Sequence, residues 1–196
     1  ESDFCSFGAN KGEERVAVLG DSHAAVLIQP LNESLKEIGI KGVNYSYNSC
    51  LPVIEGSFNE KGLTQESCDK FRSWFFSNLD SVPDIVIMLA RWPLFIERSR
   101  FNNLEGGLEP GGPISWDLPD SQMDYVTHLQ QNYINSVQRL LDYGKTVVLV
   151  YPVPEAGWVV PLQLAKIQHL TEPKNVELTI DYEVIKERNK RSTWLT

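Results

Sequence analysis

The sequence predicts a three-layer α/β fold, and three observations carry that prediction. Apolar runs at residues 16–19, 85–90 and 146–151 have the length and composition of strands. Segments with helical spacing of apolar residues alternate with them along the chain. The run Ile85-Val86-Ile87-Met88-Leu89-Ala90 is apolar without a break, as suits a strand buried on both faces of a parallel sheet. Strands and helices alternating in this way give right-handed parallel crossovers, with helices on the faces of one sheet.

Each element follows in order. Residues 1–14 are polar and read as a lead-in pinned by Phe4, Cys5 and Phe7. Residues 15–19 form the first strand, and it runs straight into Gly20-Asp21-Ser22-His23. A helix over 24–38 is predicted from Val26, Leu27, Leu31, Leu35 and Ile38, with Gly39 as its stop. Residues 41–47 place Val43, Tyr45 and Tyr47 on one side of a second strand, which ends in the turn 48–52. Residues 56–65 have loop composition. A helix over 67–79 carries Phe71, Trp74, Phe75 and Leu79, an aromatic stripe that reads as core. After the third strand, residues 102–120 form a long insertion rich in Gly and Pro, of the kind that serves as a lid or binding loop. Asp120 or Ser121 caps a helix over 121–143, whose core face is Val126, Leu129, Tyr133, Val137, Leu140 and Leu141. Gly144 ends it, and 146–151 is the fourth strand. Residues 158–170 lead into a short helix, 172–175 is a linker, and 182–195 is weakly helical.

The chain has 196 residues, enough for a single domain with a real core. Its 42% hydrophobic and 22% charged content is that of a globular protein. A formal net charge of −8 disfavours a nucleic-acid partner. No apolar run is long enough to span a bilayer. The chain begins at Glu1, which points to a processed protein or an excised domain. Cys5, Cys50 and Cys68 show no metal-ligand spacing, and no cofactor or metal is expected. A Cys50–Cys68 bridge in an oxidising compartment and two free thiols in the cytosol are equally compatible with the cysteine count.

The chemistry centres on Ser22, at the end of a strand and the start of a helix, where open α/β sheets place their crevices. The helix N-terminus offers N–H groups to a developing oxyanion, so the placement suggests nucleophilic attack on an acyl carbonyl. The glycine spacing fits neither the Gly-x-Ser-x-Gly elbow nor a phosphate-binding loop. A nucleotide binder or flavodoxin-like receiver would need a glycine fingerprint or an acidic cluster that the chain lacks.

Gly20-Asp21-Ser22 after an apolar strand resembles the first block of the SGNH/GDSL hydrolase superfamily. Gly20-Asp21-Ser22-His23 resembles more specifically the SGNH domains of acyltransferase-3 proteins, which O-acylate bacterial surface glycans. Ser49-Cys50-Leu51-Pro52, Cys68, Leu89-Ala90-Arg91-Trp92 and Val150-Tyr151-Pro152-Val153-Pro154-Glu155 follow in the same order. The resemblance implies a mainly parallel, flavodoxin-like sheet of the SGNH hydrolase kind over residues 1–196. It implies Ser22 as nucleophile, with an oxyanion hole drawn from Ser22, Ser49, Cys50 and Arg91. Arg91 would be a charged donor there, the alternative being a structural partner for an acidic neighbour. The substrate pocket would include His23, Trp92 and Asp21, the last chiefly bracing the turn by hydrogen bonds. The same resemblance tips Cys50–Cys68 toward a disulfide and the chain toward the periplasmic side of the inner membrane. Its implied partners are an acyl donor, a glycan acceptor and a membrane-embedded acyltransferase domain.

The family ends in an Asp-x-x-His block, and the chain lacks it: Asp181 is followed at the third place by Val184. A serine without its base is a poor nucleophile. The expectation is that the chain stops short of that block; the alternatives are a substitute among His23, His128 and His169, or an inactive domain. His128 reads as a helix surface residue and His169 as part of a variable segment. O-acyl transfer to a glycan is therefore the leading reading, with a carbohydrate esterase or a non-catalytic glycan-binding module behind it.

Overall fold

The computed structural model describes residues 4–55, 57–59, 65–111, 115–117, 124–169 and 178–194. In chain order its strands are β1 Ser6–Gly8, β2 Glu14–Gly20, β3 Lys41–Ser46, β4 Ser57–Asn59, β5 Ile85–Leu89, β6 Ser115–Asp117 and β7 Thr146–Leu149. The helices are α1 Ser22–Ala25, α2 Ile28–Glu37, α3 Gln65–Ser77, α4 Trp92–Glu97, α5 Tyr125–Asp142, α6 Val160–Gln168 and α7 Tyr182–Asn189. Five strands form one sheet in the order β1-β3-β2-β5-β7. β3, β2, β5 and β7 run parallel, and β1 joins the edge antiparallel. The alternation of elements predicted a parallel sheet, and the resemblance implied the mainly parallel, flavodoxin-like arrangement found here.

Period-two alternation along β2 builds the layers. Val16 and Val18 pack on one face with Ala24, Leu31 and Leu35 of the first helices. Ala17 and Leu19 face the other way, into a core with Phe75 and Phe76 of α3 and Leu129, Tyr133 and Leu140 of α5. β2 and β5 thus lie between two helical layers, and loops meet at their C-terminal ends.

Five expectations change. The polar lead-in contains β1, whose Phe7 covers Gly42 so closely that a Cβ there would sit 2.3 Å from the ring. The single helix expected over 24–38 is split into α1 and α2. Pro30, in the first turn of α2, has no N–H to give the Val26 carbonyl, so a continuous helix cannot pass it. Residues read as loop and insertion contribute β4 and β6, which pair antiparallel as a separate two-stranded sheet. A buried helix, α4, follows β5, where no element was expected between the third strand and the insertion; Pro93 fits its first turn. The fourth strand stops at Leu149 and is the sheet edge, with Val148 43% exposed. The caps expected at Asp120 or Ser121 and the linker at 172–175 lie outside the described residues; Asp124 caps α5 through the Thr127 N–H.

Cys50 and Cys68 form a disulfide across a Cα–Cα distance of 5.6 Å, tying the turn after β3 to α3. Cys5 is free and exposed. The bridge closes an 18-residue separation, which by loop-closure entropy stabilises the fold by about 3 kcal/mol. Urea denaturation with and without a thiol reductant should show that loss, and equal stability in both would contradict the bridge.

Candidate active site

Gly20 is glycine because the chain needs it to be. A Cβ there would lie 1.7 Å from the Leu89 carbonyl oxygen and 2.7 Å from the Ala24 Cβ. Without it, the ends of β2 and β5 close together and the turn folds over them. Tyr47 N–H donates to the Gly20 carbonyl at 2.9 Å, fixing the other side.

Asp21 is the hub of the turn and is 2% exposed. Its Oδ1 accepts the His23 backbone N–H at 2.8 Å, capping α1. Its Oδ2 accepts the Arg91 backbone N–H at 2.9 Å, across to the end of β5. Burial pushes the Asp21 carboxyl above its ordinary range, while the two backbone N–H bonds pull it down. Ser22 is held between these anchors, exposed at the head of α1.

Ser22 and His23 are adjacent, and His23 lines a pocket of about 340 Å³ with Arg91, Glu109, Pro110, Pro154, Glu155 and Trp158 among its walls. Burial lowers the affinity of the His23 imidazole for a proton, and Arg91 acts in the same direction; Asp21, Glu155 and Glu109 act against them. The net shift is downward.

The Arg91 guanidinium is fully engaged. Its Nε donates to Glu155 Oε1 at 2.7 Å, Nη1 donates to Glu109 Oε1 at 2.6 Å, and Nη2 reaches both carboxylates. Glu155, with its side chain 2% exposed, also accepts Arg188 Nε at 2.5 Å, and Arg188 donates to the Ser99 carbonyl at 2.7 Å. Arg100 lies 3.6 Å from Glu109. A chain of alternating charges therefore runs from α7 to the serine turn. Glu109 stays below its ordinary range: burial raises it, but Arg91 and Arg100 outweigh that.

The residues expected to build the site separate into two groups. Ser22, Asp21, His23 and Arg91 meet at one end of the sheet. Ser49, in the left-handed region at φ 55°, lies in the turn after β3, whose Tyr47 N–H reaches the Gly20 carbonyl. The Cys50 N–H is committed to the Tyr47 carbonyl at 3.1 Å, and both Arg91 donor groups are committed as above. The acidic-partner reading of Arg91 is thus the one that the geometry realises. Trp92 is 0% exposed and meets Tyr133 edge-on at 4.9 Å; it packs in the core and does not line this pocket. His128 is paired with Asn132 at 2.9 Å on α5, and His169 follows the end of α6. Asp181 caps α7, accepting the Glu183 N–H at 2.8 Å. Among the described residues, no side chain hydrogen-bonds the Ser22 hydroxyl.

Glu109, Glu155, Arg188 and Trp158 are site residues that the sequence alone does not single out. Glu155 closes a quoted motif, and a strand-end arginine demands an acidic partner, so Glu155 was within reach. Glu109 lies in an insertion with no periodicity, and only the fold brings it to Arg91.

The family described as "SGNH domain (fused to AT3 domains)" matches residues 1–196. No curated protein matches the chain. Among solved structures, the chain is similar to the periplasmic domain of the Salmonella ser. Paratyphi A lipopolysaccharide acetyltransferase, with a TM-score of 0.46 and 12% sequence identity. That likeness covers 93% of this chain, which spans 64% of the length of the other.

Replacing Asp21 with Asn leaves one backbone N–H facing an amide that donates rather than accepts. Asp21→Asn should lower stability by about 2 kcal/mol in urea denaturation. Unchanged stability would show that the two bonds do not hold the turn.

Proposed function

Because the chain belongs to the family of SGNH domains fused to AT3 domains, we propose that it passes an acyl group, through Ser22, to a hydroxyl of a bacterial surface glycan. The observation that carries this reading is the exposed Ser22 on a turn fixed by Gly20 and Asp21 and opening beside a pocket. In the proposed reaction the Ser22 Oγ attacks the acyl carbonyl, and the oxyanion takes the Ser22 and Ser49 N–H groups. The donor's leaving group departs with a proton, and Ser22 holds the acyl ester. The sugar hydroxyl then attacks that ester, and Ser22 regains its proton as the product leaves. Among the described residues no side chain hydrogen-bonds the Ser22 hydroxyl, and the reaction calls for a base that takes the Ser22 proton and returns it.

The partner in this reading is the membrane-embedded acyltransferase-3 domain, which delivers the acyl donor. No helix among the described residues is long and apolar enough to cross a membrane. The Cys50–Cys68 bridge favours an oxidising compartment, and so the extracytoplasmic face of the membrane. With water in place of the sugar as acceptor the same steps make a carbohydrate esterase.

The test is Ser22→Ala in the parent acyltransferase, with acyl esters on the surface glycan measured by NMR. Transfer should fall by about 10³-fold or more, while circular dichroism of the domain is unchanged. Full acylation by this variant would overturn the proposal.

A further inference from the structure

Resting on the acyl-transfer reading, we propose that the pocket beside His23 is the seat of the acceptor sugar, that its ligand is an uncharged pyranose, and that Trp158 is the apolar wall against which the ring packs. Besides His23 and Arg91 of the serine turn, its walls come from two loops, residues 101–110 and 154–159, which contain none of the residues that hold Ser22.

Position comes first. His23 directly follows the nucleophile and lines this pocket, so a ligand seated here lies next to Ser22. Size comes second. About 340 Å³ is at the small end of ligand pockets and accommodates one sugar ring, whereas an acetyl group would leave most of it empty.

The chemistry of the walls separates the ligand classes. Pro110, Pro154 and Trp158 supply apolar surface, and His23, Arg91, Glu109 and Glu155 supply polar groups. An acyl chain gains nothing from a wall of charges, whose desolvation it would have to bear. A pyranose has both an apolar C–H face and a rim of hydroxyls, which matches this division. The Glu109 side chain is 22% exposed, so a carboxylate remains open to accept a hydroxyl while it holds Arg91. An anionic sugar lacks a free cation here, because Arg91 already serves two carboxylates.

The walls are also built before any ligand arrives. Asn103 is 0% exposed and locks the two loops together. Its Oδ1 accepts the Glu105 and Gly107 N–H groups at 2.9 and 2.8 Å, and its Nδ2 donates to the Ala156 carbonyl at 3.1 Å. The Glu109 N–H closes the loop onto the Phe101 carbonyl at 3.0 Å. A Cβ on Gly107 would sit 2.4 Å from the Trp158 Nε1, so the indole is seated directly against backbone. A buried polar lock spent on two surface loops fixes Trp158 in place, as a preorganised binding wall requires.

The experiment is saturation-transfer NMR on the chain with the methyl α-glycosides of glucose, galactose, mannose and rhamnose, and with methyl α-D-glucuronide as the anionic comparison. At least one neutral glycoside should bind, with the glucuronide about tenfold weaker. Trp158→Ala should weaken neutral binding by about tenfold or more, and Trp158→Phe should restore most of it. Circular dichroism establishes that each variant is folded, and Trp158→Phe decides the matter where the alanine variant is not. Absence of binding by all four neutral glycosides, tighter binding of the glucuronide, or full binding by folded Trp158→Ala would each overturn the proposal. Sugar binding at Trp158 together with full glycan acylation by Ser22→Ala would instead refute the nucleophile and leave the sugar seat standing.

Discussion

The site depends on one carboxylate. Asp21 gives one oxygen to the amide of His23 and the other to the amide of Arg91, and so it joins the first turn of a helix to the end of the neighbouring strand. Taking a carboxylate to 2% exposure is costly, and only two well-placed donors make it tolerable. In return the chain obtains a turn with little freedom. Ser22 sits between the two anchors, and its exposure follows from the burial of its neighbour. Gly20 makes the arrangement possible, since any side chain would strike the Leu89 carbonyl.

From the same residue a second layer of order spreads outward. The Arg91 amide serves Asp21, and its guanidinium serves Glu109 and Glu155. Glu155 in turn holds Arg188 on α7. Each of these charges is largely out of water, so each needs its partners more than an exposed ion pair would. The network does not supply a free cation to the reaction. It positions the segments 101–110 and 154–159 against the serine turn, which is how residues far apart in the chain come to line one pocket.

The strands and the site turn were legible in the sequence, because an apolar run followed by Gly-Asp-Ser-His is a local signal. β2 could be read for that reason, β3 from its alternation, β5 from its unbroken apolar run, and α3 and α5 from their apolar spacing. What escaped had no local signal or had a misleading one. β1 is three residues long, and its reason to pair is Phe7 meeting Gly42. The helix after Ser22 has helical spacing throughout, yet Pro30 divides it. Trp92 stands beside Arg91 in sequence, and the resemblance puts it in the substrate pocket with core packing as the alternative; α4 turns the indole into the core. The Arg91 pairing was legible only as a need for an acid. Which acids meet that need is decided by long-range folding.

The central claim is that Ser22 carries the acyl group. Its most direct test is peptide mass mapping of the parent acyltransferase after exposure to its acyl donor in the absence of acceptor. Trypsin releases residues 16–36, which contain Ser22 and Ser34, and fragmentation distinguishes the two. An acyl ester on Ser22 that disappears when acceptor glycan is added is the result expected from the geometry of the turn. An unmodified Ser22 while the glycan becomes acylated would contradict it.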